Sequence, residues 1–325
     1  MNRLPRWFVA AATAPPVLFL GVFYVWPFAT LLARGLGGDA ARETLQRSAT
    51  WQVAWFTLWQ AVVSTGATLV IGLAPAWATS RFEFPGRRLF VSVLTAVFVL
   101  PTVVVGAAFV AVLPDSLDRG VWAILGAHVA FNLAVVVRTV GAAWERIPTD
   151  LEHAAATLGA GRWTVFRTVT LPLLRPSLAA AAAIVFLFTF TSFGVIRVLG
   201  TVDRTTIEVE VWRRATQLGD LAGAATLSVL QLIALAAIVA WTTRLQRRHA
   251  HAVKAPGRSQ RRRATGRERL AVAGAIAVTA GIAFAPLVAL GERSLRVDGT
   301  YSLAAWRSLG DNEIRPGLRL GIDPL

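Results

Sequence analysis

Long apolar runs separated by short charged stretches dominate the chain. A transmembrane helix needs about 17 to 25 mostly apolar residues, and seven runs meet that length. They extend from Trp7 to Ala33, Trp51 to Ser80, Leu89 to Leu113, Val121 to Val137, Leu173 to Ile196, Leu221 to Thr243 and Leu270 to Leu290. The first is too long for a signal peptide, and no small-residue cleavage site follows it. The pattern therefore predicts an all-α, polytopic transmembrane bundle.

A polar, arginine-rich stretch after the sixth run is typical of a linker. Beyond it, the seventh run ends in Ala285-Pro286-Leu287, an echo of Trp26-Pro27-Phe28 in the first run. A seven-helix protein with a polar tail would also fit, because one weak echo does not establish a repeat. We expect three regions: a six-helix unit over 1–245, a basic inner linker over 246–269, and the start of a second, truncated unit over 270–325.

Charge becomes informative once it is sorted by predicted side. The chain is 55% apolar and 16% charged, which disfavours a soluble protein. Its formal net charge of +15 is compatible with nucleic acid or with a membrane surface. With the N-terminus placed inside, alternate loops assign the whole excess to the inner side, whereas the outer side balances. The positive-inside rule therefore predicts a multi-pass cell-membrane protein with a cytoplasmic N-terminus.

The chain lacks the residues that several classes of function require. The absence of cysteine excludes thiolate metal sites and cysteine nucleophiles, and neither a catalytic nor a metal site is predicted. There is no Gly-x-x-x-x-Gly-Lys-Ser/Thr loop for ATP, and no acid or lysine lies deep in a span, as an ion-coupled carrier would ordinarily require. Arg261-Arg262-Arg263 has no interleaved aromatic residue, so nucleic acid is not an expected partner. Contact with anionic lipid, or a role in topology, accounts for this cluster more simply.

The inner loop between the fourth and fifth runs combines helix signals with small residues. Thr149 and Glu152 have the spacing of a capping box, the alanines that follow favour a helix, and Gly159 is placed to end it. A second helical stretch is predicted from about Trp163 to a stop at Leu171-Pro172. Such a small-faced helical pair is suited to docking into a groove of a partner.

This loop resembles the cytosolic coupling-helix loop of ABC importer permeases, which has Glu-Ala-Ala, a glycine four residues later and Leu-Pro about twelve residues beyond. Five positions match: Ala154, Ala155, Gly159, Leu171 and Pro172. His153 occupies the glutamate position, and Glu152 lies one residue too early. The resemblance implies a six-helix permease unit whose loop, beginning at Glu152 and His153, is received by an ATPase subunit.

Two further segments narrow the resemblance to permeases of the thiamine and ferric-iron type. His128 and Asn132 in the fourth run, and Phe190 to Gly194 with Thr205 to Val209, are similar to the corresponding spans and outer loop of that group. Because residues at i and i+4 share a helix face, His128 and Asn132 are candidates for the translocation path, as are Thr191 and Ser192. Interhelical hydrogen bonds that hold the bundle are the alternative, and we favour it for His128 and Asn132.

The expected function is that of a permease subunit in an ATP-driven importer. Thiamine, or as second choice ferric iron, would be delivered by an extracytoplasmic binding protein to outer loops that include Val202 to Asp220. The chain would be no enzyme and hold no cofactor, since ATP and Mg²⁺ would bind the ATPase subunit. A second permease half, fused or homologous, and the lipid bilayer complete the expected partners. The alternatives are an ATP-independent secondary carrier and a non-transporting fragment of a larger fused permease.

Overall fold

Helices make up most of the structure, a computed structural model that describes residues 5–248, 261–297, 299–307, 313–315 and 318–319. The α-helices are α1 Arg6–Leu20, α2 Trp26–Leu36, α3 Gly38–Gln46, α4 Ser48–Arg81, α5 Arg87–Val99, α6 Thr102–Val112, α7 Val121–Glu145, α8 Thr149–Thr157, α9 Arg162–Val165, α10 Leu171–Phe190, α11 Gly194–Leu199, α12 Ile207–Thr216, α13 Leu221–Arg248, α14 Arg267–Ser294 and α15 Ala304–Arg307. Two π-helical turns, Gly21–Val25 and Phe166–Thr170, join α1 to α2 and α9 to α10. The all-α prediction is confirmed.

Within the described residues, six helices are long and apolar enough to cross a membrane. They are Ala10–Leu36, Ser48–Arg81, Val121–Glu145, Arg162–Phe190, Leu221–Arg244 and Arg267–Ser294. Each overlaps a run that the sequence pattern predicted as a span. The cytoplasmic placement of the N-terminus stays a prediction.

The third predicted span, Leu89 to Leu113, is not one straight helix. It is broken into α5 and α6, which are bent by 107° and would count as a seventh span only if taken together. Leu100, at the break, has extended backbone angles (φ −61°, ψ 145°) and is followed by Pro101. The proline ring disfavours the helical conformation in the residue before it, and this ends α5.

The predicted helix stop at Leu171-Pro172 is wrong. The chain passes from α9 through the π-helical turn into α10, and Arg162–Phe190 forms one candidate span. Pro172 lies in the first turn of α10. Within this continuous helix the missing N–H of Pro172 removes one backbone hydrogen bond, and the wider π-helical turn directly before it accommodates the proline.

The chain divides into two compact units. One comprises Met1–Thr57 with Thr205–Trp241, and the other comprises Leu58–Arg204 with Thr242–Leu325. Neither boundary tests the predicted division at 245 and 269, which stays a prediction. Residues 249–260 of the predicted linker lie outside the described residues.

Helix α7 forms the centre of the second unit, where it contacts α5, α6, α10, α11 and α14. Its sequence is apolar on nearly every face, which is the pattern of a helix surrounded by others. Four of its own side chains, Leu133, Val136, Val140 and Trp144, are buried in the core of this unit. A Cβ atom on Gly72 of α4 would lie 2.7 Å from Val136 Cγ1, so a small residue is needed where α4 and α7 meet.

Three pairs of short strands occur among the described residues, and one of them joins segments that are distant in sequence. β1 (Phe82–Glu83) pairs in parallel with β2 (Arg262–Arg263). The other pairs are antiparallel: β3 (Arg296–Val297) with β4 (Thr300–Tyr301), and β5 (Glu313–Arg315) with β6 (Leu318–Arg319). The first pair places the residues before α14 against the end of α4.

Candidate functional site

The segment from Thr149 to Thr170, which we call the docking loop, begins with helix α8. The predicted capping box is wrong: the N-cap position is Pro148, and α8 has no side-chain cap hydrogen bond. The predicted end at Gly159 is confirmed. Gly159 has φ +85°, and the amides of Gly159 and Ala160 donate to the carbonyls of Ala156 and Ala155. This is a Schellman motif, whose left-handed position glycine fits best.

Glu152 attaches the docking loop to the rest of its unit. Its carboxylate accepts hydrogen bonds from Arg81 Nη2 at 2.7 Å and from Thr170 Oγ1 at 2.9 Å. Arg81 also donates from Nη1 to the carbonyl of Ile147 at 3.0 Å. The two side chains are largely covered, with exposed fractions of 11% for Arg81 and 24% for Glu152. Glu152 therefore links the end of α4, the start of α8 and the turn before α10, and it is not free to act in the predicted cap.

The basic cluster before α14 also forms contacts within the protein. Arg261 forms ion pairs with Glu83 and Glu145. Arg262 pairs with Glu268 at 2.7 Å and lies over the Phe82 ring at 5.0 Å. The hydrogen bond to the Glu268 carboxylate raises the pKa of the Arg262 guanidinium above its usual value. Arg261 and Arg262 are therefore engaged in ion pairs within the protein. Contact of the cluster with anionic lipid, or its role in topology, stays a prediction.

A cavity of about 720 Å³ separates the docking loop from α4 and α7. Its apolar wall includes Trp77, Trp144 and Phe166, and its polar wall includes the pairs of Arg81 with Glu152 and of Arg262 with Glu268. The contact of Glu152 with Arg81 therefore attaches the loop across this cavity, and Phe166 of the loop packs against Trp144 of α7.

The remaining predicted loop residues lie in α8 and at the start of α10. His153 and Ala154 are exposed on α8, and Ala155 is half-buried. Leu171 and Pro172 are half-buried in the first turn of α10. They belong to a membrane-spanning helix and not to the end of the loop.

A second polar group lies buried between α4, α7 and the end of α10. His128 Nδ1 is 3.1 Å from Ser64 Oγ, and His128 Nε2 is 2.8 Å from Ser192 Oγ. All three side chains are less than 5% exposed. In a neutral ring one nitrogen donates and the other accepts, so His128 can satisfy both serines at once. The structure thus brings together two predicted path residues, His128 and Ser192.

This polar group lies where the fifth span is interrupted. Helix α10 ends at Phe190 and α11 begins at Gly194, and a helix end within a bundle needs partners for its last carbonyls. Gln60 Nε2 donates to the carbonyl of Thr189 at 2.8 Å, and Thr191 Oγ1 donates to that of Leu187. The hydrogen bonds support the alternative in which these residues hold the bundle.

Asn132 lies one helical turn from His128 and is fully buried. Its Nδ2 donates to the carbonyl of His128 at 2.9 Å. Its Oδ1 has no hydrogen-bond partner in the described part of the chain. Contact of His128, Asn132, Thr191 or Ser192 with a substrate stays a prediction.

Comparison with known proteins assigns the family. Residues 68–254 match the model of the binding-protein-dependent transport system inner membrane component. That match covers α7, the docking loop and the interrupted fifth span. The chain belongs to this family of permeases.

The most similar relatives include transporters of different substrates. This permease is 34% identical over 219 residues to the thiamine transport system permease protein ThiP of Escherichia coli K12, an alignment that covers 62% of the chain and 41% of ThiP. It is 32% identical over 226 residues to the molybdenum transport system permease protein ModB of the same strain, covering 62% of the chain and 96% of ModB. The chain thus spans less than half the length of the ThiP relative.

A solved structure supports the fold. The permease has a TM-score of 0.61 to a chain in the crystal structure of a bacterial alginate ABC transporter in complex with an alginate pentasaccharide-bound periplasmic protein. The identity is 17%, and the match covers 76% of this chain and 96% of that chain. The predicted bundle architecture of an importer permease is confirmed.

Helix α12 lies in the predicted outer loop of the permease and carries a group of charges. Glu210 accepts hydrogen bonds from Arg213 Nε at 2.7 Å and Arg214 Nε at 3.0 Å, and Arg214 also pairs with Asp220. Burial alone would raise the pKa of Glu210, but these guanidinium groups outweigh it and lower the pKa. Burial raises the pKa of Glu208 to about 7, and Glu208 Oε2 has no partner among the described residues.

Sequence reasoning missed the contact between Arg81 and Glu152, because the two residues are 71 positions apart in the chain. Arg81 counted only as an inner positive charge.

Proposed function

We propose that the chain is the membrane-spanning permease unit of an ATP-driven importer and that it does not hydrolyse ATP itself. Family membership supports the transport role. The single observation that carries the coupling role is the geometry of the docking loop. Its helix α8 is bonded to the bundle through Glu152 on one side and is exposed on the other. ATP and Mg²⁺ would bind a separate ATPase subunit, and this chain would hold no cofactor.

The proposed mechanism transmits movement of the ATPase through the docking loop. Closure of the ATPase would push α8 and α9. The hydrogen bonds of Glu152 to Arg81 and Thr170 would pass this displacement to α4 and α10, which are candidate spans. Alternating access requires such a connection between an energy source and the helices around the path.

The proposed orientation places the N-terminus and the docking loop in the cytoplasm. The excess of arginine on that side supports it. An extracytoplasmic binding protein would then deliver substrate to outer segments that include α12. Reporter fusions after Arg88 and after Asp115 test the orientation, and an external reporter after Arg88 would contradict it.

Thiamine is the proposed substrate, because the ThiP relatives are named for its transport. The ModB relative shows that similar chains serve other substrates, and ferric iron is less supported. A second permease half, fused or separate, would complete the pathway.

Transport into proteoliposomes tests the proposal. The full chain would be reconstituted with its second half, the ATPase subunit and the binding protein, and uptake of labelled thiamine would be measured with and without ATP. We expect uptake only with ATP. Uptake that continues without the ATPase would instead indicate a secondary carrier.

Variants of the docking loop separate coupling from folding. Gly159→Pro and Ala155→Arg should abolish co-purification with the ATPase while membrane insertion is retained. Proline cannot adopt the φ of +85° at position 159. Unchanged co-purification of both variants would rule out the coupling role.

A further inference from the structure

Helix α8, with its C-cap residue Leu158, presents an apolar stripe that is exposed except at the half-buried Ala155. Leu151, Ala154, Ala155 and Leu158 follow the i, i+3, i+4, i+7 spacing that places side chains along one helix face. Leu151 is 47% exposed and Leu158 is 89% exposed. The alanines between them have small side chains, so the centre of the stripe projects less than its two ends. A helix with two apolar anchors of this kind fits a groove in a partner.

The acids near this stripe are mostly neutralised within the protein. Glu152 pairs with Arg81, Glu83 and Glu145 pair with Arg261, and Glu268 pairs with Arg262. Asp150 is exposed and forms no ion pair with the described residues. Glu152 is thus withdrawn from the surface that a partner would meet.

Three arginines near the stripe are open to a partner, although Arg162 also lines the cavity, where its charge acts on Glu268. Arg146, Arg162 and Arg167 are exposed, and none of them forms an ion pair within the part of the chain that the structure describes. Trp163, beside Arg162, is 71% exposed. His153, in the position where the family pattern has glutamate, adds no negative charge. The surface around the apolar stripe is therefore basic.

Resting on the proposed function, we infer that the ATPase subunit that receives this loop presents an apolar groove rimmed by carboxylates. Leu151 and Leu158 would enter the groove, and Arg162 and Arg167 would face the acidic rim. Complementary charge at a rim selects the partner and speeds association. Glu152 holds the loop from behind and makes no contact with the ATPase.

Binding measurements test this assignment. The full chain would be placed in nanodiscs of phosphatidylcholine alone, and the affinity of the ATPase subunit that supports ATP-driven uptake with it would be measured at 50 and 300 mM NaCl. The test variant is Arg162→Glu/Arg167→Glu. The matched control is Arg119→Glu/Arg293→Glu, which makes the same charge change at exposed positions without ion pairs among the described residues.

We expect the wild type to bind more weakly at the higher salt, where screening acts over about 6 Å. The test variant should bind about tenfold more weakly or worse at 50 mM NaCl and lose most of this salt dependence. The control should behave as the wild type. Changing two acids on the rim of the ATPase groove to lysine should restore binding of the test variant.

The outcomes distinguish the inference from the proposed function. Wild-type binding and salt dependence in the test variant would overturn the acidic rim and leave the proposed function intact. A defect that appears only in nanodiscs containing phosphatidylglycerol would assign the arginines to lipid and also overturn it. No binding by the wild type would overturn both.

Discussion

Replacing Glu152 with alanine should loosen the docking loop and leave the helical bundle folded. The change removes two hydrogen bonds to the carboxylate, at 2.7 Å from Arg81 and 2.9 Å from Thr170. It also leaves Arg81, whose side chain is only 11% exposed, with the carbonyl of Ile147 as its remaining hydrogen-bond partner among the described residues. An uncompensated, mostly covered charge is destabilising.

The magnitude follows from how far the pair is buried. Breaking a fully buried ion pair costs about 3 to 5 kcal/mol, whereas an exposed pair is worth about 0 to 1 kcal/mol. Glu152 and Arg81 lie between these limits, with exposed fractions of 24% and 11%. We expect a loss of about 2 kcal/mol in the free energy of opening the loop, which corresponds to about 30-fold faster exchange.

Hydrogen exchange followed by mass spectrometry measures this opening directly in peptides that cover α8. Arg81→Ala should give a similar acceleration, and the double variant should add little to either single change, because both remove the same contact. Glu43→Ala is the control, since its pair with Arg47 is exposed on both sides, and it should leave α8 unchanged. Normal exchange in Glu152→Ala, or fully additive effects in the double variant, would refute the proposed attachment.

Three further changes test other parts of the structure. Gly159→Ala should destabilise the docking loop by about 1 kcal/mol, because alanine disfavours a positive φ, whereas Gly161→Ala, at φ −65°, should leave exchange in α8 unchanged. Glu208→Gln should stabilise the protein at pH 8 by about 1 kcal/mol after allowance for solvent screening and should have no effect near pH 4.5. Because the pKa of Glu208 is raised from 4.5 to about 7 on folding, wild-type stability falls as the pH rises through this window, and thermal unfolding of the variant should lack that slope. His128→Ala should lower the free energy of unfolding in detergent by about 1 to 3 kcal/mol through the loss of two interhelical hydrogen bonds, while Ser64→Ala should lose about half as much; equal stability of His128→Ala and the wild type would contradict the bundle-holding role.

The parts of the fold that depend on local composition could be predicted from the sequence. Each of the six candidate spans was visible as an apolar run, and Gly159 was visible as the end of α8, because a left-handed position follows from the residues immediately around it. Pro101 was equally visible inside the third run. The bend of 107° that accompanies it also depends on how α5 and α6 pack, which periodicity does not encode.

The polar contacts could not be predicted because their partners lie far along the chain. The spacing of Thr149 and Glu152 satisfies the local pattern of a capping box, yet Glu152 binds Arg81 and Thr170 instead. A guanidinium that is mostly covered by protein needs a carboxylate more than an exposed helix end needs a cap. Likewise, the sequence marks Gln60 as a polar residue within a span, but its partner, the carbonyl of Thr189 at the end of α10, lies 129 positions away.

The proposed coupling would place two opposed demands on the docking loop, and the arrangement of α8 would meet both. A partner can displace the loop only if an apolar surface is exposed for docking, as Leu151 and Leu158 are. The displacement reaches the bundle only if the loop is also attached to it. Behind α8 the connection runs through Glu152 and its two partners, and farther along the loop Phe166 packs against Trp144 of α7. Directed hydrogen bonds can be kept while the loop shifts as a body, whereas a close-packed apolar contact has to be broken before it can be re-formed.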